Sequence, residues 1–114
     1  MDDRDWMRLI EEKLNTDREA AVREIAGFAS HATRYDEAEA FLLGLREHAN
    51  PNVRGIAVLG LGHLARVHRR SSEAAVSAVR AALNDPDAFV TGHADSAADD
   101  IAHFSTFRVV KSGG

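Results

Sequence analysis

Six histidines stand in this chain of 114 residues: His31, His48, His63, His68, His93 and His103. An imidazole one helical turn from a carboxylate can chelate a divalent cation or exchange a proton with a substrate. The spacing that fits best is Asp95, Asp99 and His103, at i, i+4 and i+8, which share one face of a helix. Groups on a single helix cannot close a coordination sphere, so further ligands would have to come from elsewhere. The plainer account is that Asp95 and Asp99 are solvated and that His103 sits near a helix C-terminus, where its charge is favoured. There is no cysteine, which removes disulfides and thiolate ligands. No Gly-x-Ser-x-Gly elbow and no phosphate-cradling glycine loop occurs. Gly60-Leu61-Gly62 falls inside a helical pattern and so offers no free N–H groups to a phosphate. No catalytic residue, metal or cofactor is expected. Asp99 and His103 are where a metal-binding or enzymatic alternative would rest.

The remaining chemistry is charge. The formal net charge is −4, which disfavours nucleic acid as the main partner. Residues 1–50 carry 12 acids against 7 bases, residues 51–84 carry 1 against 5, and residues 85–114 carry 5 against 2. The basic middle concentrates in Arg66, Arg69 and Arg70, with His63 and His68 nearby. Such a patch suits a phosphate backbone, although arginines also gather at helix C-termini for dipole reasons. The acidic end concentrates in Asp87, Asp95, Asp99 and Asp100, preceded by Asp85. A solvated face is the default for such a run. The sharper reading is electrostatic capture of a basic protein.

These groups must be positioned by helices. Ala and Leu dominate the apolar residues, which make up 45% of the chain; that favours helix packing over a sheet. Residues 4–14 align Trp6, Leu9, Ile10 and Leu14. Thr16, with Glu19 three residues on, reads as a capping box opening a second helix to about Ser30. A third helix starts near Asp36 and buries Ala40, Phe41, Leu43 and Leu45. Asn50-Pro51 opens a fourth over residues 51–68, apolar nearly all round through Val67 and therefore central. Gly55, Gly60 and Gly62 cost it about 1 kcal/mol each relative to Ala, compensated by close approach of a neighbouring helix. Ser71-Ser72 caps a fifth helix, and Asp85-Pro86-Asp87 starts a sixth ending near Phe104. Residues 105–110 add a short extended piece or a further turn; residues 111–114 read as a disordered tail. No run approaches the roughly 20 apolar residues of a membrane span. The charged first residues lack the apolar core of a signal peptide, so a cytoplasmic location is expected.

The fourth and sixth helices repeat. Val53-Arg54-Gly55-Ile56-Ala57 through Leu64-Ala65 lies over Val90-Thr91-Gly92-His93-Ala94 through Ile101-Ala102, offset by 37 residues. Two helices in that period describe an α-solenoid. Asn50-Pro51-Asn52-Val53-Arg54, then Ala57, then Leu61-Gly62-His63-Leu64 resembles the second helix of a HEAT repeat. The last pair departs from the pattern, with Thr91 in place of the arginine and Ala98-Asp99 in place of Leu-Gly. The resemblance implies an all-α fold: an α-α superhelix of three HEAT-like antiparallel helix pairs in a single domain, residues 1–110. It implies that Arg54 pairs with an acid of the neighbouring repeat, and that the second helices line a concave side. HEAT units serve many roles. The stretch from Arg54 to Arg66 resembles short stand-alone bacterial HEAT proteins, some of them similar to immunity proteins that neutralise a cognate toxin. That implies a protein partner, a basic toxin domain in the immunity form; the charged groups expected to meet it are Asp87, Asp95, Asp99, Asp100, His63, Arg66 and Arg70. The oligomeric state stays open.

Overall fold

Short polar side chains start most of the helices by taking up the free N–H groups of a first turn. The computed structural model describes residues 1–111. Among them are α1 (Asp3–Thr16), α2 (Arg18–His31), α3 (Tyr35–Leu45), α4 (Pro51–His68), α5 (Glu73–Ala82) and α6 (Ala88–Phe104). The caps are Asp2, Asp17, Asn50, Ser72 and Asp87. One expectation fails here. The residue opening α2 is Asp17, which accepts from the Ala20 amide at 3.2 Å. Thr16 belongs to α1, its hydroxyl donating to the Glu12 carbonyl at 3.1 Å. A single residue therefore separates the two helices, and the carboxylate takes the cap.

Arg34, before α3, provides no side-chain cap. Asp3 of α1 instead holds the backbone just ahead of that helix, from across the fold. This buried carboxylate accepts from the Thr33 amide at 3.1 Å and the Arg34 amide at 2.9 Å. It ties the start of the first hairpin to the start of the second.

The helices pair as α1–α2, α3–α4 and α5–α6. The second helix of each pair packs beside the next, so that α4 lies between α2 and α6. The molecule is a superhelix of three helical hairpins in two layers. Ten of the 18 residues of α4 are buried, which makes it the axis of the core. The largest fully buried side chains include Leu61 and Leu64 of α4 itself, with Ile10, Ile25, Phe28 and Leu42 from the helices before it. Val67 departs from expectation: it is exposed. In α3 the buried stripe is Tyr35, Ala38 and Leu42. Ala40 is exposed, and Phe41, Leu43 and Leu45 are only half-buried. Apolar residues crowd α3 without a clear period, so contact with α4 selects the face.

Gly62 shows how closely α4 and α6 approach. A Cβ there would stand 2.7 Å from the Ala97 Cα. Gly60 meets Ala29 and Leu42 in the same way, as expected of both. After α6 the chain turns back. Val109 enters the core cluster and Phe107 packs against it. Lys111 is placed as well, against the expectation of a disordered tail from 111; residues 112–114 lie outside the described residues.

Candidate functional site

Asn52, Gly55, Leu59, His63 and Arg66 fall on one stripe of α4. That stripe is flanked by α2 and α6. At its N-terminal end an open groove of about 560 Å³ is lined by Arg18, Glu19, Val22 and Arg23 of α2, Asn50 and Asn52 at the start of α4, and Phe89 of α6. Phe89 is 41% exposed. Its ring lies where a Cβ on Gly55 would be, 2.8 Å away, and packs edge-on against His93. Gly55 thus seats an aromatic ring at the surface. Arg18 and Arg23 are exposed and form no ion pair among the described residues.

Further along the face, His63 is half-buried beside Ser30, with Nδ1 3.2 Å from the hydroxyl oxygen. Ser30 gives its proton to the Ala26 carbonyl at 3.1 Å. Burial lowers the pKa of His63, nearby Arg66 and His93 add to the lowering, and Asp100 opposes it. Burial also lowers the pKa of His93. The neutral imidazoles, a hydroxyl and one carboxylate make a polar spot on an otherwise tightly packed layer.

The sequence-derived residues do not form one site. Asp87 is the α6 cap, accepting from the Phe89 amide at 2.9 Å. Asp95 and Asp99 share Lys111, at 2.7 and 3.0 Å. Asp100 turns the other way, its Oδ2 3.2 Å from the place a Gly62 Cβ would take. The acidic ridge is thus divided and partly neutralised. The arginine cluster disperses as well. Arg66 is exposed on the α4 stripe. Arg69 stacks over Phe104, 4.9 Å from its centroid. Arg70 lies over Tyr35 at 4.2 Å and meets Asp36 at 3.3 Å. His103 packs against Phe104, while Asp99 is held by Lys111. Among the described residues no three His, Asp or Glu side chains converge on a metal position.

The repeat explains the ridge. An offset of 37 residues carries Val58 to Asp95 and Gly62 to Asp99. In α4 these positions face the next hairpin: Val58 lines a cleft with Ala78, Ala82 and Val90, and Gly62 lies on Ala97. In α6 the same side carries carboxylates. The side that is apolar and packed in α4 is thus polar and exposed in α6. Thr91 fits the same logic. Its counterpart Arg54 grips Asp85 with two hydrogen bonds, at 2.9 and 3.0 Å, and reaches the His48 and Ala49 carbonyls at 3.1 Å. Arg54 thus clamps the second hairpin to the third, as the resemblance implied. It holds the Asp85 carboxyl below the usual carboxylate range.

Sequence reasoning missed Phe89, Arg18, Arg23 and Ser30. A signal for Phe89 was present, because the same offset places it opposite Asn52, an exposed position. Asp3 and the Tyr35–Glu39–Ser72 chain of hydrogen bonds were missed too. Burial and Glu39 push the Tyr35 phenol above its usual range; these groups knit α3 to α5 on the opposite layer. Comparison with protein-family models, with curated proteins and with solved structures gives no match.

Proposed function

We propose that this chain is a protein-binding module of the HEAT type, and that it presents the α2–α4–α6 face to its partner. The observation that carries this reading is that face itself. It is held by a nearly fully packed α4, yet it keeps a groove, a seated and exposed Phe89 and the exposed Asn52 and Arg66. Aromatic and arginine side chains on a rigid surface are the usual energetic centres of protein interfaces. Preorganisation also removes most of the ordering cost of binding.

Neutralisation of a cognate toxin is the specific form of this role that the resemblance of residues 54–66 supports. The cytoplasm is its compartment in this reading, which suits a chain without cysteines. No helix among the described residues is long and apolar enough to cross a membrane. The test is affinity capture of the tagged chain from its native cells, at low and high salt, with mass spectrometry. A stoichiometric protein partner is the expected result; a partner encoded beside this chain would specify the toxin form. Recovery of nucleic acid, or of no protein at either salt, would overturn the reading.

A further inference from the structure

The groove at the start of α4 has a composition that names its occupant. Two guanidinium groups, Arg18 and Arg23, line one wall, and neither has an ion-pair partner among the described residues. This sets them apart from Arg54 and Arg70, which hold Asp85 and Asp36. The opposite wall carries the exposed ring of Phe89, with Val22 across from it. Asn52, exposed on the floor, supplies an amide that both donates and accepts. Glu19 is the single acid of the lining. The caps Asp17 and Asp87 direct their carboxylates to the Ala20 and Phe89 amides instead. The groove therefore offers two free cations beside an apolar ring.

We infer that this groove receives an acidic segment of the partner protein, with carboxylates paired to Arg18 and Arg23 and an apolar side chain laid on Phe89 and Val22. This rests on the protein-binding reading above and specifies the chemistry of its partner. Guanidinium–carboxylate pairs are bidentate and directional, while the ring supplies the apolar anchor that fixes register. The volume, about 560 Å³, lies in the range of pockets that take several linked side chains or a drug-sized ligand. The basic partner implied by the acid run at Asp95 and Asp99 would sit on a different surface, one already engaged by Lys111. Nucleic acid, the other polyanion, would seek a long track of bases. Here the free arginines number two, and the chain carries a net charge of −4.

The experiment is selection of a random peptide display library on the intact chain, followed by titration of the selected peptides into wild type and variants. Enriched sequences should carry at least two Asp or Glu residues flanking one aromatic or aliphatic residue. The exposed variant Arg18→Glu/Arg23→Glu should weaken them by roughly tenfold per arginine. Phe89→Ala should weaken them about tenfold as well, while Arg80→Glu, on the opposite layer, should leave affinity unchanged. Raising salt should reduce affinity in wild type more than in the double variant. Enrichment of basic peptides, or acidic peptides insensitive to both variants, would overturn this inference while leaving protein binding intact. No peptide enrichment together with tight binding of a single-stranded oligonucleotide would overturn both.

Discussion

At the residue scale, the side chains that matter most act between hairpins. Arg54 bridges the α3–α4 turn to Asp85 in the α5–α6 turn, and both partners are largely buried, at 19% and 14% side-chain exposure. Arg54→Ala leaves that carboxylate unpaired, and is expected to cost about 2–3 kcal/mol in chemical denaturation. Arg54→Lys should recover only part of it, because an ammonium cannot form the two-pronged contact. A reading of Arg54 as a structural clamp was available from the resemblance of its segment to a HEAT repeat. Asp3 was not legible, since the amides it caps lie 30 residues away and nothing local marks it. Thr16 was misread because the adjacent Asp17 competes for the same role. The half-buried His63 and His93 set a pH dependence. Their folded pKa values lie below the ordinary 6.5, so the unfolded chain binds more protons as pH falls. Stability is fully present above pH 6.5, and is lost as pH drops below it toward the folded values. The thermal midpoint should therefore fall between pH 7 and 5, and the paired substitution His63→Asn/His93→Asn should flatten that fall.

At the element scale, α4 and α6 are the same motif in two settings, and glycine shows the difference. Gly55 of α4 lies under the ring of Phe89 and Gly62 against the backbone of Ala97, whereas Gly92 of α6, the counterpart of Gly55, has open space where a Cβ would go. Gly62→Ala should destabilise by about 1–3 kcal/mol through overpacking. Gly92→Ala should stabilise by up to about 1 kcal/mol, the helix propensity gain alone. Thermal melts of the two variants should show shifts of opposite sign. The helices, the central place of α4 and the glycine contacts were legible, because caps and periodicity are local signals. The face of α3 was not, since Ala38, Ala40, Phe41, Leu42 and Leu43 satisfy several faces and only contact with α4 decides. The acid run was visible, but its meaning was not. Its setting emerges only when Asp95 and Asp99 are compared with Val58 and Gly62, and when Lys111 is seen to fold back onto it.

At the scale of the whole molecule, three hairpins give two layers with different character. The α1–α3–α5 side is knitted by Asp3, by Tyr35 with Glu39 and Ser72, and by Arg70 on Asp36. The α2–α4–α6 side keeps Arg18, Arg23 and Arg66 out of ion pairs among the described residues and leaves the ring of Phe89 exposed. Groups already satisfied within the fold have little to offer a partner, and groups left unpaired beside a rigid core have much. The most direct test of this assignment is quantitative capture of the native partner with two charge variants of equal stability. One places Asn52→Glu and Arg66→Glu on the α4 stripe; the other places Glu12→Lys and Arg80→Glu on the opposite layer. Loss of the partner from the first, at least tenfold, with full retention by the second is the result expected. Retention by the first and loss from the second would contradict the account.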